Sequence, residues 1–143
     1  MVESILVPMD GSPKSKDGLE HALKEHSEGD VLVLHVMTPF EEWETENDRP
    51  TAETIQEWYE RSQKRSEEIF AEAKRIAADY DSEVNTQLEV GEPWREIVSV
   101  AEENDVDIIV MGSHGRDDGS SLPMGSVAET VMRRSPALVS VVR

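Results

Sequence analysis

The chain has 143 residues, with 31 acids against 14 lysines and arginines, a formal net charge of −17, and no cysteine. A surface this negative excludes nucleic acid and anionic membrane as main partners, because both are recognised by positive faces. The lack of cysteine excludes disulfides, thiol nucleophiles and thiolate metal sites, and the length fits one domain spanning residues 1–143.

Ile5-Leu6-Val7 predicts a first strand that ends at Pro8-Met9-Asp10, since Pro8 cannot donate to a ladder. Ser12-Pro13 predicts a helix start, with Ser12 as N-cap and Pro13 at the first helical position. Leu19, Ala22, Leu23 and His26 share one face of that helix, and Gly29 suits its stop. Val31 to Met37 is a nearly continuous apolar run, the pattern of a strand covered on both faces in a parallel sheet. Residues 38–50 are polar and acidic between Pro39 and Pro50 and predict a loop. A long helix follows, with Thr51 as its cap and Ile55, Trp58, Tyr59, Ile69, Ala73, Ile76, Ala77 and Tyr80 largely on one face.

Val84, Thr86, Leu88 and Val90 alternate with polar residues, as a half-exposed edge strand does. Gly91-Glu92-Pro93 opens a further helix with Trp94, Ile97, Val98 and Ala101 turned inward. Asp107 to Met111 predicts the fourth strand, Ser126 to about Arg134 the last helix, and Ala137 to Val142 the last strand. Strands alternating with helices select an α/β fold, an open five-stranded parallel sheet with right-handed crossovers and helices on both faces. The N-terminus carries no basic region or long apolar segment of the signal-peptide kind, and no apolar run approaches membrane-spanning length, so a cytoplasmic protein is expected.

The stretch with chemical content is Gly112-Ser113-His114-Gly115, followed after nine residues by Gly125-Ser126. Glycines between a strand and a helix let the backbone approach a ligand, and a helix N-terminus favours phosphate oxygens. In open α/β sheets ligands sit beyond the carboxyl ends of the strands, where the strand order reverses. The loops in that position are Pro8–Ser12, Val36–Thr38 and Gly112–Ser126. Asp10 suits a ribose hydroxyl or a phosphate-bridging metal, and equally a turn shaped with Gly11 and Ser12. Val36 and Met37 suit a base or plain core. Ser126-Val127-Ala128-Glu129 matches a capping box, whose capped helix start is also an anion site. His114 and Arg116 lie within phosphate reach in the loop, or are solvated there. The region after residue 103 is nearly balanced in charge: Asp105, Asp107, Asp117, Asp118 and Glu129 meet Arg116, Arg133, Arg134 and Arg143. A polyphosphate is therefore not repelled by the local sequence. There is no P-loop lysine motif, no nucleophile elbow and no metal-ligand spacing among His21, His26, His35 and His114. Nor is there an evident general base.

Four pieces together resemble universal stress proteins of the UspA type. They are Ile5 to Ser12, Leu34-His35-Val36, Asp107 to Arg116, and Gly125-Ser126-Val127-Ala128-Glu129. Gly112, Gly115, Gly125 and Ser126 fill that family's G-x2-G-x9-G-[ST] signature, and the likeness runs end to end. The resemblance implies a Rossmann-like, adenine nucleotide alpha hydrolase-like sheet of order 3-2-1-4-5. It also implies a homodimer whose last strands, residues 137–142, pair antiparallel. It places a nucleotide, ATP or AMP, against Pro8, Met9, Asp10, Val36, Met111, Gly112, His114, Gly115, Arg116, Gly125, Ser126 and Val127. Gly112, Gly115, Gly125 and Ser126 would face phosphates, Val36 the adenine, and Asp10 the ribose or a phosphate-bound Mg²⁺ or Mn²⁺. The function implied is a dimeric ATP- or AMP-binding regulatory module in stress response, acting on a protein partner the sequence does not name. Two other readings stay open: a slow ATPase or adenylyl-transfer enzyme using Asp10 and a metal, and a dimer scaffold without ligand. Asp117 and Asp118, in the nine-residue spacer, predict affinity that depends on metal and salt. The acidic surface as a whole suits a high-salt cytoplasm, where roughly molar salt shortens the Debye length to ~3 Å.

Overall fold

The computed structural model describes residues 2–38, 52–113 and 125–143. Thr51, the loop 39–50 and the spacer residues 114–124 lie outside it, so the cap expected at Thr51 is not described. Five strands, β1 (Ser4–Pro8), β2 (Asp30–Met37), β3 (Val84–Val90), β4 (Ile108–Gly112) and β5 (Leu138–Val142), alternate with four helices. The helices are α1 (Pro13–Glu25), α2 (Ala52–Asp79), α3 (Pro93–Glu103) and α4 (Ser126–Arg134). All neighbouring strands pair in parallel, in the order β3-β2-β1-β4-β5. The order reverses at β1, between β2 and β4, and the crevice above that point is where the chain ends of β1 and β4 part.

The apolar runs in the central strands are double-sided because each face has its own helix layer. Ile5, Val7, Val31, Val33 and Val110 pack with Leu19, Leu23, Ile69 and Ile76 of α1 and α2. Leu6, Leu34, Ile109 and Met111 pack with Ile97, Val100 and Val131 of α3 and α4. Each such side chain contributes about 1.5–3 kcal/mol by leaving water. β3 closes one edge of the sheet with Asn85, Gln87 and Glu89 interspersed, as its alternation predicts. β5 closes the other.

Three details differ from the sequence expectation. α1 ends at a His26 cap, and Gly29 falls in the following turn, where an added Cβ would lie 2.5 Å from the Ile5 δ-methyl. On α3 the inward residue is Val100 rather than Val98, with Trp94 only partly covered. On α2 Ile55 (42%) and Tyr59 (51%), and just past its end Tyr80 (40%), are exposed, although they fit the periodicity of the buried Ile69, Ala73, Ile76 and Ala77. The reason is length: 28 residues of helix span about 42 Å, whereas a strand of eight spans about 26 Å. The helix is longer than the strands, so towards its ends only part of that face is covered: Trp58 is buried between the exposed Ile55 and Tyr59.

The sheet's lower end is tied by Asp107, whose Oδ2 accepts from the backbone N–H groups of Glu3 (2.9 Å) and Ser4 (3.0 Å). Those two bonds, Glu3's foremost, hold its carboxyl below the ordinary value of 3.8. Trp94 ties α3 to α4: the guanidinium groups of Arg95 and Arg134 lie 5.3 and 4.9 Å from its ring centre, and its Nε1 donates to Glu92 at 2.7 Å.

Candidate functional site

One wall of the crevice is the β1–α1 turn. Pro8 ends β1 opposite Leu34, and the Met9 N–H donates to the Leu34 carbonyl at 2.8 Å, which extends the β1–β2 contact past the strand. The Met9 side chain is buried in the α1/α2 core, so Met9 offers a ligand only its backbone. The Met9 carbonyl is 2.8 Å from Nδ1 of the buried His35. His35 is thus a core residue. Asp10 accepts the Ser12 N–H on Oδ1 at 2.9 Å and so shapes the turn, while Gly11 takes a φ of +86° that disfavours a side chain. The Ser12 hydroxyl then accepts from Ser15 N at 3.1 Å and caps α1, as its place before Pro13 predicts.

The other wall is the root of the glycine loop. Ser113 donates from its backbone N–H to Val142 at 2.8 Å, and its carbonyl accepts the Gly125 N–H. The two ends of the 114–124 segment are therefore pinned together beside β5. Gly125 is the N-cap of α4 and Ser126 its first residue. This corrects the capping box: Ser126 sits one position inside the helix and makes no cap bond, and Glu129 pairs with Arg133 at 2.7 Å instead. With glycine at the cap, no side-chain oxygen of that residue occupies the N–H groups of the first turn, which carry the positive end of the α4 dipole.

Met111 lies in the α3/α4 core, and Val36 and Val127 pack against that core. His114, Gly115, Arg116, Asp117 and Asp118 lie outside the described residues. Among the described residues no cluster of three or more His, Asp or Glu is placed to hold a metal ion. Asp10 is the one described carboxylate in the β1–α1 turn, which matches a phosphate-bound Mg²⁺ that takes one or two protein carboxylates and keeps its waters.

Sequence reasoning missed three contributors. Arg65 of α2 donates through Nη2 to the Asp10 carbonyl at 3.4 Å, across 55 positions of chain. Ser113 is buried and fixes the loop base through its backbone. Lys14 explains Gly112: a Cβ on that glycine would lie 2.5 Å from the Lys14 carbonyl carbon and oxygen. Glycine is thus required there by packing as well as by any ligand.

The model of the universal stress protein family matches residues 1–143. The chain belongs to that family. Universal stress protein MJ0577 of Methanocaldococcus jannaschii is 30% identical over 166 aligned residues, covering 100% of this chain and 96% of that protein. The solved MJ0577 structure superposes with a TM-score of 0.78 and 31% identity, over 99% of this chain and 96% of that one. Two further solved structures share the fold. The Archaeoglobus fulgidus universal stress protein in complex with dAMP has a TM-score of 0.69 at 24% identity, over 100% of both chains. A universal stress protein in complex with cAMP has a TM-score of 0.72 at 23% identity, over 99% and 97%. No helix among the described residues is long and apolar enough to cross a membrane.

Proposed function

We propose that this chain binds an adenine nucleotide, ATP or AMP, in the crevice between the β1 and β4 ends, and works as a homodimeric regulatory module of the cytoplasmic stress response. The observation that carries this reading is the glycine-capped start of α4, tied to Ser113 just after β4, the strand that pairs in parallel with β1 and so ends on the same side of the sheet as the Asp10 turn. Phosphate would lie at the first-turn N–H groups of Ser126 and Val127, the base over Val36 and Met111, and the ribose beside Asp10. His114, Gly115 and Arg116 belong to the proposed phosphate side. Mg²⁺ would reach the site on the phosphates and meet Asp10, where it would offset the charge of Asp117 and Asp118. The dAMP and cAMP held by two family members support the ligand class.

The dimer is proposed through β5. Its sequence, Leu138-Val139-Ser140-Val141-Val142, has no charge, proline or bulge to blunt an edge, and Leu138 is 72% exposed. Such an edge suits antiparallel pairing with a second copy.

A second reading, a dimer scaffold without ligand, draws support from Gly112, whose lack of a side chain the packing against Lys14 explains by itself. Calorimetric titration with ATP and AMP, with and without Mg²⁺ at low and high salt, separates the two. Parent protein that binds, and Gly125→Val that binds at least about tenfold more weakly with an unchanged dichroism spectrum, is the expected result. No binding by the parent under any of these conditions would leave the scaffold.

A further inference from the structure

α1 touches both walls of the crevice. Its first residue follows the Asp10–Gly11–Ser12 turn directly, and at Gly18 its backbone rests on the peptide between Met111 and Gly112. A Cβ on Gly18 would lie 3.2 Å from the Gly112 nitrogen and 3.3 Å from the Met111 carbonyl carbon. On the facing side, a Cβ on Gly112 would collide with the Lys14 carbonyl one turn earlier in α1. The joint is glycine on both sides, backbone against backbone. Gly18 is buried in the middle of a helix, where glycine is a poor helix former, and it is not among the glycines with positive φ. Its backbone conformation does not call for glycine; the spacing does.

We propose that Gly18 is a positioning residue for the nucleotide site: by letting α1 seat on Met111–Gly112, it sets the separation between the Asp10 turn and the root of the glycine loop. The inference rests on the nucleotide reading above. A methyl at position 18 makes α1 and β4 part by a few tenths of an ångström. The Asp10 turn is continuous with α1, capped to it through Ser12, so it moves with the helix. A nucleotide held on one side by Asp10 and on the other by the start of α4 then fits both walls less well. Weakening a hydrogen bond from one wall to the nucleotide lowers affinity by about three- to tenfold.

The test is calorimetric titration of AMP into the parent and Gly18→Ala, with ligand-free melting of both. The expected result is a melting midpoint within a few degrees of the parent's, because the helix-forming gain of alanine and the close contact oppose each other, with AMP binding about three- to tenfold weaker. Equal AMP affinity overturns the positioning role and leaves the nucleotide reading standing. A parent that binds no AMP defeats the nucleotide reading itself. If Gly18→Ala does not fold, the amide spectrum of the parent titrated with AMP decides. Shifts at Gly18 together with Gly112 support the joint, whereas a shift at Gly112 with Gly18 unmoved overturns it.

Discussion

Gly112→Ala adds one methyl at the end of β4, and the structure says what it meets. The Cβ would stand 2.5 Å from both the carbonyl carbon and oxygen of Lys14, and 3.0 Å from the Lys14 Cβ. Carbon atoms in contact prefer about 3.5–4.0 Å, so the first turn of α1 must retreat by roughly an ångström. It has little room to do so. The Ser12 cap holds its start, and Leu19, Ala22 and Leu23 hold its buried face. Overpacking of this kind costs roughly 1–3 kcal/mol. The opposing gain, from restricting the unfolded chain, is about 0.4–1 kcal/mol, so the clash wins. The midpoints of the two ranges leave a net loss of roughly 1.3 kcal/mol, so at about 3–4 °C per kcal/mol for a domain of this size ligand-free Gly112→Ala should melt about 4–5 °C below the parent. In urea the midpoint should fall with the slope unchanged, since the surface exposed on unfolding is the same. A variant melting within about 1 °C of the parent would refute the argument that packing demands glycine at this position.

Asp107 gives a pH signature. Its folded pKa is depressed by the N–H groups of Glu3 and Ser4, so its contribution to stability is present above the unfolded value and is lost as pH falls through the folded one. Asp107→Asn should therefore melt lower than the parent near neutral pH, with the difference closing below pH 3.8, the group's ordinary value; a gap that does not change with pH contradicts this. Leu138 tests the dimer. Val139 and Val141, the apolar residues that would first be chosen in this strand, pack against the α3/α4 core, so lysines there would damage the fold as well as any interface. Leu138→Lys should leave the fold intact and convert a dimer into a monomer by light scattering, and a variant still dimeric refutes the β5 interface. The charge of −17 predicts a higher melting midpoint in molar KCl than in dilute buffer, where self-repulsion is unscreened; no rise would show that the charges are already well separated.

The fold class was legible because the period of the hydrophobic pattern switches between strand and helix at each boundary, and Ser12-Pro13 marks a start with two independent signals. Strand order was not legible from that pattern, since an apolar run says that a strand is covered but not which strand lies beside it; it came with the family likeness. The site was legible where its residues are local, as at Asp10 to Ser12 and Gly112 to Ser126. It failed where a one-residue shift changes a role: Gly125 rather than Ser126 caps α4, although the S-x-x-E spacing reads as a capping box. It also failed where contacts are remote. Nothing near Asp10 in the chain points to Arg65, and the steric claim of Lys14 on Gly112 needs the crossing of α1 over β4. Ile55 and Tyr59 show the converse, a correct helical period in a part of α2 where Trp58 is buried and they are not.

The central claim is that the crevice above β1 and β4 holds an adenine nucleotide. Its most direct test is a crystal structure of the protein grown with AMP at saturating concentration. The account predicts the phosphate at the N–H groups of Ser126 and Val127 and the base over Val36 and Met111. A nucleotide bound elsewhere, or none bound at all, would contradict it.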